Sequence, residues 1–330
     1  MKFLAPEEFV DLNPSTTGSF VDIDVSAYVA EGATAAVIAV DNLQYNTHTK
    51  YAFRKNGSTD DIYYDIMSNN VSTVIVALDE DGIFEMKKEF HSILQKLYII
   101  GYFESGDGYV PFTNYIDKSL GSLDTYIDID ISANTGDDTA IMAVVAVVNT
   151  ASVAAYFYDV RKNGSSDTYY VYARAFNNRS FFVSLDENEI FEGKIANATL
   201  KFYIAGYFTS GVTGYTNLTE INPALTGVWE DYTIGGSDVV EIFQTTAGLG
   251  LLRCAIVGDN VGIVFRGDDG GSGTVGVIGV RPDGTAYDWR TGSFAAAVLF
   301  MGTGSLGPAI VLPIISSGII HDATQRIIRG

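Results

Sequence analysis

The sequence is short of cysteine, histidine, proline and positive charge. Its 330 residues contain one cysteine, Cys254, three histidines and seven prolines. A single cysteine cannot close an intrachain disulfide, so packing must stabilise the fold, and the chain is compatible with a reducing compartment. The three histidines do not recur at matching positions of the repeats, so the sequence gives little support for catalysis by a histidine base.

The charge balance limits the partners. Twenty Lys and Arg residues stand against forty Asp and Glu residues, for a net charge of −20. Because nucleic-acid binding needs a basic surface, a nucleic-acid partner is disfavoured. The apolar segment 309–315 is too short to span a bilayer and is interrupted by Pro313. We expect no membrane span, and the acidic pair Glu7 and Glu8 near the start interrupts any secretory signal.

Aromatic residues are plentiful. The chain has 20 Tyr and 19 Phe, and 47% of its residues are hydrophobic. This composition excludes disorder and favours half-buried pleated surfaces over helices, so it predicts an all-β protein. The length predicts two or three domains.

One phrase occurs twice in the chain. Residues 51–58 read Tyr-Ala-Phe-Arg-Lys-Asn-Gly-Ser, and residues 158–165 read Tyr-Asp-Val-Arg-Lys-Asn-Gly-Ser, an offset of 107. Asn-Gly after an alternating apolar run predicts a hairpin, because both residues tolerate positive φ. The predicted turn residues are Arg54, Lys55, Asn56, Gly57, Arg161, Lys162, Asn163 and Gly164.

Three further landmarks keep the same order at offsets of 105 to 107. They are the pairs 20–26 and 126–132, 76–80 and 183–187, and 97–103 and 202–208. Each unit holds seven or eight short apolar runs separated by Gly, Asn, Asp and Ser clusters, which is typical of a β-sandwich. Jelly-roll and immunoglobulin-like strand orders both fit this pattern.

A third copy is diverged. It opens at 229–232 and closes at 298–302, and Arg266-Gly267-Asp268 replaces the turn phrase with a glycine-rich loop. No lysine follows Lys201, and 20 of the 34 glycines lie from Gly227 onward. We read Arg-Gly-Asp as a turn and the third unit as specialised.

These patterns divide the chain into three tandem β-sandwiches. The predicted parts are an N-terminal arm (1–17), sandwich one (18–106), a linker (107–121), sandwich two (122–211), a linker (212–226), a diverged sandwich three (227–304) and a C-terminal docking arm (305–330).

Candidate ligand sites are weak. Asp79, Asp81 and Asp186 offer oxygen ligands to calcium, but none completes an EF-hand loop, so we interpret them as polar turns with a structural calcium as the alternative. Two Gly-x-Gly-x-x-Gly matches lead into a strand-like run or into proline rather than a helix, so no cofactor is predicted. The tyrosines fit a core better than a sugar-binding face.

The repeat unit resembles the β-sandwich modules of tailed-bacteriophage virion proteins, such as tail fibres, spikes and capsid-decoration proteins. The resemblance lies in Asp-Ile-Asp-Val-Ser at 22–26, Arg-Lys-Asn-Gly-Ser-Thr-Asp at 54–60, Leu-Asp-Glu-Asp-Gly-Ile-Phe-Glu at 78–85 and Tyr-Ile-Ile-Gly-Tyr-Phe at 98–103. It covers about two thirds of the chain and weakens in the third copy.

That resemblance implies a non-enzymatic structural or adhesive component on the virion surface, at head or tail. The implied partners are other virion proteins, further copies of the chain in a homo-oligomer and a host surface glycan. The alternatives are a carbohydrate-binding adhesin module and, with less support, a β-sandwich glycan hydrolase.

Overall fold

The computed structural model describes residues 2–3, 10–42, 49–66, 70–92, 95–136, 139–151, 154–168, 171–173, 178–210, 212, 229–235, 238–244, 250–255, 262–263 and 312–313. Their regular secondary structure is strand apart from one four-residue helix, so the all-β prediction is confirmed. None of the helical structure in these ranges is long and apolar enough to cross a membrane.

The first sandwich is a jelly roll of two four-stranded antiparallel sheets. One sheet has the order β1-β8-β3-β6 and the other β2-β7-β4-β5, which is the jelly-roll arrangement of eight strands. The strands are β1 (Lys2–Phe3), β2 (Val21–Asp24), β3 (Ala33–Asn42), β4 (Thr49–Lys55), β5 (Tyr63–Ile66), β6 (Asn70–Ala77), β7 (Ile83–Lys88) and β8 (Gln95–Glu104).

The second sandwich has the same topology. Its sheets have the orders β9-β16-β11-β14 and β10-β15-β12-β13, so both described sandwiches are jelly rolls rather than immunoglobulin-like. The elements are β9 (Tyr109–Asp117), β10 (Ile127–Asp130), α1 (Ser132–Thr135), β11 (Met142–Asn149), β12 (Tyr156–Lys162), β13 (Val171–Ala173), β14 (Asn178–Ser184), β15 (Ile190–Ile195) and β16 (Leu200–Phe208).

The first strand of each jelly roll lies outside the predicted sandwich boundaries. Strand β1 is in the predicted arm (1–17), and β9 occupies most of the predicted linker (107–121). The sequence did not predict β9 as a strand, because β9 contains Pro111 and Asn114, residue types that are depleted in strands. The segment 107–121 is therefore part of a sheet rather than a simple connector.

Each jelly roll has its own apolar core between its two sheets. Tyr51 and Phe84 are fully buried in the first core, and Tyr158 and Phe191, their equivalents at an offset of 107, are fully buried in the second. Alternation along the strands produces these cores, since successive side chains point to opposite faces of a sheet. In β15, for example, Phe191 and Ile195 are buried and the residues between them alternate.

The third unit is described in part. Strands β17 (Trp229–Gly235), β18 (Asp238–Gln244) and β19 (Gly250–Ala255) form an antiparallel sheet in chain order. Strand β20 (Gly262–Ile263) pairs with β21 (Leu312–Pro313), which lies in the predicted docking arm. The diverged turn around 266–271 lies outside the described residues.

Strand β9 approaches β16 closely at Gly206. A Cβ atom added to Gly206 would lie 2.6 Å from the Val110 carbonyl oxygen and 2.7 Å from the Tyr109 hydroxyl oxygen. Pro111 is the pairing partner of Gly206, beside an irregularity in the register of the two strands. Because the Val110 atom belongs to the backbone, a side chain cannot be accommodated without moving the strand.

We predict that Gly206→Ala destabilises the second jelly roll by about 1–3 kcal/mol, since it forces β9 away from β16. Urea unfolding of the full chain measures the change. Gly121→Ala is the matched control, because a Cβ atom there meets nothing within 4 Å. Equal stability of the two variants would contradict the close approach.

Candidate functional site

The repeated Asn-Gly phrase forms a turn in both jelly rolls. The Ser58 amide donates to the Lys55 carbonyl at 2.9 Å, and the Ser165 amide donates to the Lys162 carbonyl at 3.0 Å. Both turn glycines, Gly57 and Gly164, have φ near +78°.

The turn is not a two-residue hairpin loop. Pairing between β4 and β5 reaches only to Ala52 and Tyr63, so the turn opens a longer connection. The reason is that Gly57 alone adopts positive φ, whereas a two-residue hairpin of this type needs positive φ at Asn56 as well.

Arg54 joins the turn to the neighbouring strand of its sheet. Its Nε and Nη2 atoms donate to the two carboxylate oxygens of Glu85 on β7, at 2.9 and 3.1 Å, and Nη1 donates to the Asp60 carbonyl at 3.2 Å. The guanidinium carbon lies 3.6 Å from the centre of the Phe20 ring. A bidentate, mostly buried pair with a stacked ring is the strong form of such a contact.

Arg161 makes the same contacts in the second jelly roll. It donates to Glu192 on β15 at 2.8 and 3.3 Å and to the Asp167 carbonyl at 2.8 Å, and it lies 3.4 Å from the centre of the Tyr126 ring. Although burial opposes its charge, Glu192 raises the pKa of Arg161. In each sandwich one arginine therefore joins the turn, a neighbouring strand and the aromatic residue that precedes the second strand.

Two of the three predicted calcium ligands, Asp79 and Asp186, accept hydrogen bonds within these turns, and Asp81 is exposed. Asp79 accepts from the Asn56 side chain at 2.7 Å and from the amides of Asp81 and Ile83 at 3.0 and 2.8 Å. The part of the chain that the structure describes holds no cluster of three or more His, Cys, Asp or Glu residues placed for a metal ion.

Asp186 repeats this arrangement with Asn163 at 2.7 Å and with the amides of Asn188 and Ile190 at 2.9 Å. Although burial opposes ionisation, hydrogen bonds from the Ile190 amide and the Asn163 side chain hold the pKa of Asp186 below its usual range. Both carboxylates thus link one turn to another within the same sandwich.

The residues after Asn-Gly contact the next jelly roll. The Asn114 Oδ1 atom on β9 accepts from the Ser58 hydroxyl at 2.8 Å, from the Thr59 amide at 3.0 Å and from the Thr59 hydroxyl at 3.3 Å. The Asp60 carboxylate accepts from the Tyr115 amide at 2.8 Å. We call residues 58–60 with Asn114 and Tyr115 the inter-repeat clamp.

Strand β9 packs against both cores. Tyr115 lies against the first core, where its hydroxyl is 3.0 Å from the Tyr64 hydroxyl, while Val110, Phe112 and Ile116 lie against the second core. Burial raises the pKa of Tyr115 to about 12, and the charge of Asp60 acts in the same direction. The strand predicted as part of a linker is thus shared between two sandwiches.

An aromatic cluster lies beside the clamp at the same joint. Phe103 at the end of β8 lies 4.8 Å from Tyr109 and 5.8 Å from Phe208, measured between ring centres. Phe208 also lies 5.6 Å from Phe182 of β14. Phe103, Tyr109 and Phe208 are buried, so apolar packing adds to the polar clamp at this joint.

The first jelly roll contains a buried polar cluster that the sequence analysis did not find. The fully buried Lys88 donates through Nζ to the Asn13 side-chain oxygen at 2.7 Å and to the Pro14 carbonyl, and it lies 2.7 Å from the His91 Nδ1 atom. Burial lowers the pKa of Lys88 to about 8, against the opposing effect of Asp11.

The second jelly roll has apolar residues at the equivalent positions. Ile195 corresponds to Lys88 and Leu200 to Gln95, and both are fully buried in the second core. The polar cluster is therefore particular to the first jelly roll and to the N-terminal arm that reaches it.

The matched tyrosines of β4 and β12, and those of β8 and β16, do not form an exposed face. Tyr51 and Tyr158 are buried, and Tyr98 and Tyr203 are half-buried. Their placement agrees with the interpretation of such residues as mainly core.

Comparison with known proteins finds two distant likenesses, both from viruses. No protein-family model matches the chain, and no curated protein gives a significant match. A chain of Sulfolobus turreted icosahedral virus, known from its atomic structure, is 12% identical with a TM-score of 0.25, over 92% of this chain and 81% of the other. A chain from work on the triple jelly-roll fold and turret assembly in an archaeal virus is 13% identical with a TM-score of 0.27, over 95% and 81%. Scores this low carry no argument about function.

We predict a coupling free energy of about 1–3 kcal/mol between Arg54 and Glu85, because both side chains are mostly buried and their contact is bidentate. A double-mutant cycle with Arg54→Ala and Glu85→Ala, measured by urea unfolding, gives this value. Lys50 and Glu89 are the control pair, with side chains 28% and 53% exposed at 3.5 Å. Their coupling is expected to stay below about 1 kcal/mol, and equal coupling in the two pairs would refute the difference.

We predict that Lys88 makes the protein more stable as the pH rises from about 8 to about 10.5. In this window the folded lysine loses its proton while the unfolded lysine keeps it, so stability increases, on the order of 1 kcal/mol. The difference between the unmodified protein and Lys88→Met in urea unfolding across the window measures the rise. Lys88→Met is expected to lose it and Lys50→Met to keep it; a rise of the same size in Lys88→Met would contradict the assignment.

Proposed function

We propose that this chain is a non-enzymatic structural protein of a virus particle, exposed on the particle as an appendage of the head or tail such as a decoration, fibre or adaptor protein. The observation that carries the proposal is the joint between the jelly rolls, in which β9 belongs to one sandwich and is clamped by the other. Jelly rolls are common in viral capsid proteins and also in lectins. The resemblance of the repeat unit to virion modules supports the viral reading.

The joint suits a mechanical role. Strand β9 pairs with β16, its Tyr115 packs against the first core, and Asn114 and the Tyr115 amide bind the turn of the first jelly roll. Bending at this point would break backbone pairing, apolar packing and polar contacts together. A stiff joint keeps successive units at fixed positions, which repeated attachment to a symmetric particle requires.

The proposed partners are other virion proteins and further copies of this chain. Interfaces that are weak singly add through symmetry and multivalency. The net charge of −20 favours solubility of an exposed protein and disfavours contact with nucleic acid. The proposed location is the virion surface, after synthesis in the host cytoplasm, with a host surface glycan as a further partner.

The third unit and the C-terminal segment are the better candidates for docking on the particle. The N-terminal arm is used by the first jelly roll: Asp11 accepts from the Lys96 side chain at 2.7 Å, and the Asn13 amide group donates to the Gln95 carbonyl at 2.6 Å. These residues of the arm are bound to the first jelly roll and are therefore poor candidates for docking on the particle.

The alternatives are a carbohydrate-binding adhesin and a glycan hydrolase. The half-buried or buried state of the matched tyrosines does not favour the adhesin. The equivalent glutamates Glu85 and Glu192, one in each jelly roll, are each bound by an arginine, which does not favour the hydrolase. Binding on a glycan array would move the assignment to the adhesin.

We predict that the protein co-sediments with purified virus particles at a fixed copy number and that a chain lacking 304–330 keeps its two jelly rolls folded but does not incorporate. Gradient sedimentation with mass spectrometry measures incorporation, and thermal unfolding tests folding. Deleting 1–18 is the contrasting change, since it removes β1 and the partners of Lys88 and is expected to lower the melting temperature. Absence of the protein from particles would overturn the proposal.

A further inference from the structure

The two Asn-Gly pairs of the repeated phrase carry a chemical liability. In an Asn-Gly pair the glycine backbone nitrogen can attack the side-chain carbonyl carbon of the asparagine, whose amide group leaves as ammonia with the proton of the glycine N–H. Water then opens the resulting cyclic imide to an aspartate or an isoaspartate. The pair occurs twice in the chain, at Asn56-Gly57 and at Asn163-Gly164.

The first jelly roll holds both reacting groups of its pair. The Asn56 Nδ2 atom donates to the Asp79 Oδ2 atom at 2.7 Å, and the Gly57 amide donates to the Glu85 Oε2 atom at 3.3 Å. Cyclisation requires the asparagine side chain to turn back on its own backbone and the glycine nitrogen to give up its proton. The bond to Asp79 opposes the first change. The carboxylate of Glu85 opposes the second, because a negative charge nearby disfavours loss of that proton.

The second jelly roll holds its asparagine in the same way. The Asn163 Nδ2 atom donates to the Asp186 Oδ2 atom at 2.7 Å. Although burial opposes ionisation of Asp186, the hydrogen bonds that it accepts keep its pKa below the usual range. The acceptor is therefore charged at neutral pH, which strengthens its bond to the asparagine.

Burial does not keep water from either pair. Gly57 and Gly164 are exposed, and Asn56 and Asn163 are half-buried. Water for the hydrolytic step is thus at hand in the folded protein, and the hydrogen bonds of the side chains are what oppose the reaction.

We propose that Asn56 and Asn163 are latent deamidation sites, which Asp79 and Asp186 protect in the folded protein. Unfolding removes the protection, and the asparagines are then converted to aspartate or isoaspartate. An aspartate at position 56 puts a carboxylate where the donor to Asp79 stood. Two carboxylates so close repel each other, so the link between the two turns does not form again and unfolding becomes irreversible.

Peptide mass spectrometry on the full chain at neutral pH measures deamidation at the two sites separately. Both asparagines are expected to react at least about tenfold more slowly in the folded protein than in the chain unfolded in urea, because a hydrogen bond to a charged group must break first. Equal rates in the folded and the unfolded chain would overturn the proposal.

Asp79→Asn tests the protecting residue, and the second site is its internal control. The variant keeps an oxygen for the amides of its own turn but turns a second donor toward the Asn56 amide group. Deamidation at Asn56 is expected to rise by about tenfold, while Asn163 in the same chain stays slow. Asp186→Asn is expected to reverse this pattern. An unchanged rate at Asn56 in Asp79→Asn would refute the protecting role.

A further variant separates release of one side chain from unfolding of the first jelly roll. Phe84→Leu loosens the core, in which Phe84 is fully buried, and leaves Asp79 in place. Its rate at Asn56 is expected to stay close to that of the unmodified protein. A rise as large as that in Asp79→Asn would count against the proposal.

Asn56→Asp tests the consequence of the reaction. This variant carries the product carboxylate and is expected to unfold at a lower urea concentration than the unmodified chain. Asn56→Ser is the matched control, since it removes the donor without adding a charge, and it is expected to lose less stability. Equal losses would refute the repulsion. None of these measurements involves a virus particle, so their outcome is independent of the proposed function.

Discussion

The rest of the structure depends on strand β9, which must satisfy two sandwiches at once. Its backbone pairs with β16 and completes that sheet. Without β9, the outer edge of β16 would expose unpaired amide and carbonyl groups. Its Tyr115 packs against the first core, and Asn114 holds the turn of the first jelly roll. Neither sandwich is complete without this strand, so the boundary between them is a shared element.

Adjacent residues of the repeated turn have two roles, one within their own sandwich and one toward the neighbouring unit. Arg54 and Arg161 each bind a glutamate and an aromatic ring inside their own sandwich, which fixes where the turn lies. In the first jelly roll, the fixed turn preorganises the Ser58 hydroxyl and the Asp60 carboxylate for their contacts with β9. An ion pair that is structural within one unit therefore positions the contact to the next unit.

How much the sequence predicts follows from the distance between interacting residues. Alternation within a strand is local, so it predicted the β-sandwich class and a core location for tyrosines, which Tyr51 and Tyr158 have. The clamp joins residues 56 positions apart, and the Lys88 contact with Asn13 joins residues 75 apart, so neither pairing leaves a local pattern. The strand order is likewise non-local, which is why jelly-roll and immunoglobulin-like topologies both fitted the sequence.

The two jelly rolls share one topology but have polar residues in one core and apolar residues in the other at equivalent buried positions. Ile195 and Leu200 fill a position in the second core where the first has Lys88 and Gln95. The two first strands also pair differently among the described residues. Strand β9 pairs with β16 at five residues, whereas β1 pairs with β8 at Lys2 and Phe3, and the arm adds a bridge between Asp11 and Tyr98. Side-chain hydrogen bonds to backbone carbonyl groups also position the N-terminal arm, from Lys88 to Pro14 and from Asn13 to Gln95. Buried polar contacts of this kind specify a geometry more than they add stability.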